Sequence, residues 1–470
     1  MINKPMRKIA YLPLLFLGLA SAAQASSELK PRVVILTDIA PGNVEPDDME
    51  SMVRLMAYAD QLEIEALIPS TGWNCDPYPV TWADSLHRVL DAYGHDVANL
   101  MKRSGQKRFL LLKQEQGRQR IGYWPSPEYL RSRVAMGSLR SGIGVVGEGN
   151  NSAGSDLIIR LADEKDPRPL WVCCWGGGNT LAQAIWQVKQ QRTAEELKKF
   201  LHKLRVYAIT DQDMPASKRR DHTYSSHQWM LQEFADDLLF IWDEETWRRF
   251  CERGGKHWQE YASEIQGKGQ LGSVYPTYKY GVEGDTPSFL HVLPNGLNNP
   301  DKPEQVGWSG CFKRDTSPDP QTTAWTNWQQ PQKGIVRKYG EQFYPAIFRD
   351  FAARMTWAQN GTGNRNPVVI VNGSKGTAPI KVNARPGKTV TLDASRSFAP
   401  DGHQLTFKWW IQSDVGFCPK GTTLKSHGPQ ISITIPEEIE KPAEIHVICE
   451  VEDNTQTPLC SYRRIIIRCR

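Results

Sequence analysis

The run Val33-Val34-Ile35-Leu36 ends in Thr37-Asp38, and a loop with Pro41, Gly42 and Pro46 then leads to Asp47-Asp48. Four consecutive apolar residues read as a strand buried on both faces, as in a parallel sheet. Met49, Met52, Val53, Leu55 and Met56 repeat at helical spacing, so Asp47-Asp48 stand where a helix starts. The strand end and the helix start therefore bring Asp38, Asp47 and Asp48 to one sheet edge. Such charges raise one another's pKa unless a cation neutralises them, and oxygen-only donors suit a hard ion, Ca²⁺ or Mg²⁺. Asp47 and Asp48 alone would be explained as acids that cap the helix and complement its dipole. Asp38 is what that explanation leaves out.

A chain of 470 residues is long enough for two or three domains with a large core. Lys4, Arg7 and Lys8 precede an apolar run from Ile9 to Ala22 that closes on Ala23-Gln24-Ala25, the pattern of a secretory signal over residues 1–25. The run is too short for a permanent span, and no later run approaches the length of one. The mature chain is therefore expected to be exported, to the periplasm or beyond, with no membrane anchor. Of the formal charge of +5 the leader carries Lys4, Arg7 and Lys8, so the remainder is nearly balanced. That gives no ground for a nucleic acid polymer as partner. Sixteen tryptophans offer faces for stacking sugars or bases, although core and domain contacts account for most such residues. Among nine cysteines, Cys418, Cys449, Cys460 and Cys469 crowd the C-terminal end, where export favours disulfides. Cys173-Cys174 read as buried thiols.

After the first helix, Leu62–Ile68 reads as a second strand, ending in the polar loop Pro69-Ser70-Thr71-Gly72-Trp73-Asn74. Alternation of strand and helix means an α/β domain with a mainly parallel sheet. In such sheets ligands bind beyond the carboxyl ends of the strands, where Asp38 and Asn74 fall. Pro169–Trp175 is a third strand, running into Gly176-Gly177-Gly178-Asn179, whose glycines let backbone approach a ligand. Leu204–Ile209 is a fourth, delivering Asp211 and Asp213 to the same edge. Residues 255–345 are rich in Gly, Pro and Trp and show no long periodic helix. Within them Asp285, before Thr286-Pro287, either caps a helix or completes the metal site, and the two roles are compatible. From Asn360-Gly361-Thr362-Gly363 the composition turns to linker. Short strands follow at Val368–Asn372, Thr389–Asp393, Leu405–Ile411, Ile431–Ile435, Ile445–Val451 and Arg463–Ile467, an all-β sandwich. Thr391–Ser395, Asp401-Gly402 and Phe407–Trp410 match Ig-like modules of the polycystic-kidney-disease type.

Thr37-Asp38, Glu45-Pro46-Asp47-Asp48-Met49, Trp175–Leu181, Asp211-Gln212-Asp213 and Glu283–Phe289 together resemble the strand-end motifs of nucleoside hydrolases. The likeness is closer to a secreted nucleoside-hydrolase-like family grouped with a cellulose-binding protein. It implies a nucleoside-hydrolase-like, Rossmann-like α/β domain over residues 26–360 and an Ig-like sandwich over 361–470. It further implies Ca²⁺ held by Asp38, Asp47, Asp48, the Trp175 carbonyl and Asp285, with Asp38 as general base toward a metal-positioned water. Asn74 would hold a sugar hydroxyl, and Asn179, Asp211, Asp213 and Glu283 would complete the substrate-facing set. Leu36 replaces the first Asp of the family's Asp-Thr-Asp-Pro-Gly-x-Asp-Asp motif, and the loop to Asp47 is longer. The expected function is hydrolysis of an N-ribosyl or other glycosidic bond. The alternative is a non-catalytic protein that binds cellulose or another plant polysaccharide. Either way the partner is a sugar, nucleoside or oligosaccharide, and a homo-oligomer is compatible with both.

Overall fold

Strand and helix alternate through β1 (Arg32–Thr37), β2 (Glu63–Pro69), β3 (Leu170–Cys174), β4 (Leu204–Ile209) and β5 (Leu239–Asp243) in the computed structural model, which describes residues 28–470. The leader expected over residues 1–25 lies outside the described residues. With β6 (Lys313–Thr316) and β7 (Thr323–Thr326) these strands form one sheet, in the order β2-β1-β3-β4-β5-β7-β6. Every neighbouring pair is parallel except β6 and β7. The α/β class with a mainly parallel sheet is thus the observed one. β1 shows why its sequence is an apolar run: Val33 and Ile35 enter one core and Val34 and Leu36 the other, all fully buried.

Helix α1 (Pro46–Ala57) has proline at its first position and packs Met49, Met52, Val53 and Met56 into the first of these cores, beside α2 (Asp84–Ser104). The same core receives a helix that the sequence reading did not anticipate, Gln332–Asn360. It buries residues on more than one side: Phe351 lies under the Arg54 guanidinium, 4.1 Å from ring centre, while Tyr339 stacks on Trp410 at 5.9 Å and Phe343 meets Tyr462 at 5.8 Å. A helix covered from several directions has no single apolar stripe, and Pro345 inside it interrupts the pattern further.

That helix ends on Gly361 in the left-handed conformation (φ 69°). Beyond it the chain is β-rich. One sheet runs in the order Ile380–Ala384, Cys460–Cys469, Ala443–Asp453, Leu405–Ile411, and an antiparallel one in the order Thr389–Asp393, Gln430–Thr434, Thr423–His427. Ile380–Ala384 and Thr423–His427 were not expected as strands; Thr423–His427 has one half-buried apolar residue among exposed polar ones, whereas Ile380–Ala384 does alternate half-buried Ile380, Val382 and Ala384 with exposed Lys381 and Asn383, a period-2 signal that its five residues carried and the expectation passed over. The expected disulfides do not form: all nine cysteines are free. The register explains this for the long hairpin, where Cys449 faces Arg463, Cys460 faces Glu452 and Cys469 faces Ala443. Among the described residues no helix is long and apolar enough to cross a membrane.

One buried polar group ties the sheet to the segment below it. His291 lies between Trp171 and Tyr207, at 5.2 and 5.5 Å between ring centres. Its Nε2 meets the Pro300 carbonyl at 3.0 Å and its Nδ1 the Ser309 hydroxyl at 2.9 Å, a pairing that the neutral imidazole satisfies completely. Burial pushes its pKa down to about 4. A depressed pKa means stability that is present above the ordinary value of 6.5 and is lost as pH falls toward 4. Melting temperatures of wild type and His291→Gln across this window should show a shallower acid decline in the variant; parallel curves would exclude His291 as a cause.

Candidate functional site

β1 lies between β2 and β3, so the chain leaves β1 to one side and returns on the other, which opens a crevice at the carboxyl ends of β1 and β3. Asp38 emerges from β1 at this point and is 1% exposed. The polar loop after β2 closes over it: a Cβ on Gly72 would stand 1.9 Å from Asp38 Oδ2, so only glycine fits. From the β3 side a Cβ on Gly176 would meet the Thr71 carbonyl at 2.7 Å and the Asp38 amide nitrogen at 2.9 Å. The glycines expected to admit a ligand therefore admit, first of all, the neighbouring backbone.

The first turn of α1 and the loop before it bring Glu45, Asp47 and Asp48 together, with one carboxylate oxygen from each within 4.8 Å of the others. The Thr37 hydroxyl donates to Asp48, and Asp285, at the start of the short helix Thr286–Leu290, is in hydrogen-bond contact with Asp48. The turn from Gly281 to Gly284 passes against Asp47, since a Cβ on Gly284 would lie 2.6 Å from its Oδ2. Both oxygens of Asp38, Asp47 Oδ1 and Asp285 Oδ2 are buried with no hydrogen-bond partner. Burial first, and the Asp47 charge second, push Asp38 up to about 8. Burial first pushes Asp48 and Asp285 well above the carboxylate range, helped by the Asp38 and Asp47 charges for Asp48 and by the Asp48, Asp47 and Asp38 charges for Asp285, and Glu45 and Asp47 are raised by burial as well. Crowded acids with orphaned lone pairs and no basic side chain among them are a donor set that a hard divalent cation would satisfy.

The other expected residues divide. Trp175 directly follows β3: its amide donates to the Leu36 carbonyl at 2.8 Å, its indole to Ser288 Oγ at 2.6 Å, and its carbonyl accepts the Gln212 amide. Asn74 is exposed at the mouth and donates to Glu45. Asp211 lines the cleft described below. Asn179 opens the helix Asn179–Gln191 and binds the Arg140 carbonyl at 2.5 Å, outside the cleft lining. Asp213 spends both oxygens on backbone, the amides of Gly142 and Ser226, each at 2.8 Å. Glu283 is fully buried in a two-pronged ion pair with Arg54, at 2.7 and 2.6 Å. These three acid and amide groups hold loops in place.

The cleft itself has two chambers. One, of about 470 Å³, is bounded by Glu45, Asp47, Asn74, Gln212, Trp247 and Tyr280. The other, of about 390 Å³, is bounded by Asp211, Arg220, His222, Glu244, Arg248 and Trp328. Trp73, Thr210 and Arg219 line both. Trp73 meets Trp247 edge to face at 6.5 Å, and Arg219 lies over the Trp73 ring at 4.0 Å. In the second chamber His222 Nδ1 is 2.9 Å from Asp211 Oδ2; burial opposes the imidazolium, but the Asp211 carboxylate outweighs it and raises the histidine. Sequence reasoning gave no role to Glu45, Trp73, Arg219, Arg220, His222 or Trp247. Glu45 stood in the quoted motif, and Trp73 beside Asn74, so a signal existed for these two. Arg219, Arg220 and His222 lie in a polar loop with no pattern to set them apart.

A family model described as cellulose-binding Sde182, nucleoside hydrolase-like domain, matches residues 32–312. A second, described as the C-terminal domain of cellulose-binding protein Sde0182, matches residues 389–469. Among solved structures, a nucleoside hydrolase-related hypothetical protein from Saccharophagus degradans, associated with carbohydrate metabolism, is 31% identical, covering 94% of this chain and 100% of that one with a TM-score of 0.78. A PKD domain solved in solution is 17% identical over 21% of this chain and 94% of that one, with a TM-score of 0.15. No curated protein matches the chain.

Proposed function

The chain belongs to the cellulose-binding, nucleoside-hydrolase-like Sde182 family, and on that premise we propose that its cleft takes a glycosyl compound and hydrolyses its glycosidic bond beside a bound Ca²⁺. The observation that carries this reading is the set of unpartnered carboxylate oxygens on Asp38, Asp47 and Asp285 by the carboxyl ends of β1 and β3. Asp38, Asp47, Asp48 and Asp285 would hold the ion, with Glu45 as a further acid and the Trp175 carbonyl as a neutral donor. When bound, Ca²⁺ would supply the charge that lets these acids stay ionised and polarises a nearby hydroxyl or water. Asp38 would take the proton from the attacking water on an oxygen that no protein group occupies. Asn74 would orient a sugar hydroxyl at the mouth, and Trp73 and Trp247 would cover the apolar face of the sugar. The basic and apolar pattern from Lys4 to Ala25 makes this an exported protein in our reading.

A second reading, a carbohydrate-binding protein without turnover, draws on a specific observation. Asp38 is buried beneath Gly72 and does not line the cleft, whereas Trp73 and Trp247 do. A screen of nucleosides and plant oligosaccharides in the presence of Ca²⁺, with wild type and Asp38→Asn, separates the two. Hydrolysis that falls about a hundredfold in the variant, with binding retained, is the expected result. Sugar binding by both proteins and turnover by neither would select the binding protein. No binding and no turnover across the panel would defeat both.

A further inference from the structure

The two chambers of the cleft carry opposite charge. The first is bounded by the acid cluster through Glu45 and Asp47. The second presents Arg219, Arg220, Arg248 and His222 against Asp211 and Glu244. Both acids there are already matched. Glu244 pairs with Arg248 at 2.8 Å. Asp211 takes His222 at 2.9 Å and the Ser225 hydroxyl at 2.6 Å. Arg219 and Arg220 have no such match: neither makes an ion pair or a side-chain hydrogen bond among the described residues, and both are exposed at the chamber wall. Arg219 is held by its stacking on Trp73, at the seam between the chambers. Arg220 sits in the left-handed region (φ 80°), a conformation that costs a non-glycine residue energy and is found at ligand clamps. The turn is fixed by the Lys218 amide on the Pro215 carbonyl at 2.8 Å and the Asp221 amide on the Lys218 carbonyl at 2.7 Å. Two unpaired guanidinium forks from one turn, with an imidazole beside them, are suited to a carboxylate, sulfate or phosphate group, each of which offers paired oxygens.

We propose that the ligand of this cleft is a glycosyl compound bearing an anionic substituent, with its glycosyl part over Trp73 and Trp247 beside the acid cluster and its anion between Arg219 and Arg220. This rests on the glycosyl reading of the same cleft and adds the charge of the ligand to it. A neutral oligosaccharide would leave both guanidinium charges unmatched. An anion placed in the first chamber would instead face Glu45 and Asp47.

The test is calorimetric titration of the full chain in Ca²⁺ with matched pairs of ligands. These are a neutral cello-oligosaccharide against the same oligosaccharide ending in a glucuronate, a neutral galactan oligosaccharide against its sulfate ester, and a nucleoside against its 5′-monophosphate. In at least one pair the acidic member should bind tenfold or more tightly, with the advantage shrinking as salt is raised. The pair that shows it identifies whether carboxylate, sulfate or phosphate is the group read. In Arg219→Ala/Arg220→Ala, whose replaced side chains are exposed, the acidic member should fall to the affinity of its neutral partner measured on the same variant, with an unchanged melting temperature. Equal affinities within every pair on the wild type, or an advantage that survives the double substitution, would overturn the inference while leaving the glycosyl reading in place. Absence of binding by any member would overturn both.

Discussion

Ca²⁺ added to the cation-free protein at pH 8 should raise its melting temperature by roughly 8 °C. This assumes about 4 kcal/mol of linkage at a thousandfold excess over Kd and about 2 °C per kcal/mol for a large domain. The acids responsible are Asp38, Asp47, Asp48 and Asp285, three of them 1% exposed. Without a cation their folded pKa values lie above the ordinary carboxylate value, with Asp38 at about 8. A raised carboxyl pKa contributes stability that is full below about pH 4 and is lost as pH climbs through the folded value. The cation-free protein should therefore melt lower at pH 8 than at pH 5. Calcium should remove that decline, because a bound ion reverses the sign by favouring the ionised acids. Asp48→Asn keeps an acceptor for the Thr37 hydroxyl but deletes one crowded charge, so the variant should melt at or above the cation-free wild type at pH 8 and gain little from Ca²⁺. Identical melting of wild type with Ca²⁺ and with chelator at pH 8 would remove the cation from this site.

The acid cluster and its supporting strands were legible because central parallel strands are buried on both faces. β1 and β3 stand out as apolar runs and β2 and β4 as mostly apolar ones broken by Glu63, Glu65 and Arg205, and their polar tips fall together once the alternation of strand and helix is recognised. β6 and β7 give no such run. Lys313-Arg314-Asp315-Thr316 is an edge strand defined by its hydrogen bonds to β7, and its side chains report only that it faces solvent. The helix Gln332–Asn360 was hidden for the opposite reason, being apolar on too many sides to show a period.

What sequence cannot distinguish is an acid left free from an acid already satisfied. Asp38, Asp213 and Glu283 all follow apolar or turn-rich stretches at one sheet edge, and all three are buried. Their difference lies in partners far along the chain: Ser226 and Gly142 for Asp213, Arg54 for Glu283, and no protein group for the Asp38 carboxylate. The same holds for the cleft. Trp73 and Trp247 meet across 6.5 Å, yet nothing in the spacing between them marks them as neighbours. Residue chemistry suggests candidates; the long-range partners decide which remain available to a ligand.

Glu283→Gln should cost about 3–5 kcal/mol of stability, the usual penalty for stranding one member of a buried ion pair. Arg54 and Glu283 are both fully buried, the pair is two-pronged, and Tyr261 donates its hydroxyl to the same carboxylate at 2.8 Å. Glu283 also sits in the left-handed region (φ 54°), held there by its amide on Glu50 Oε2 at 2.7 Å and by Arg54. This conformation sets the course of the chain into Asp285, while Arg54 lies on α1, the helix that begins with Asp47 and Asp48. The ion pair thus couples the two segments that bring the acids together. In Glu283→Gln the calcium-dependent rise in melting temperature should shrink along with the overall stability. Arg54→Met/Glu283→Gln removes the stranded charge and keeps an acceptor for Tyr261, so it should recover most of the lost stability. If Glu283 served a ligand directly, Glu283→Gln would weaken binding at unchanged melting temperature, and the second substitution would restore nothing.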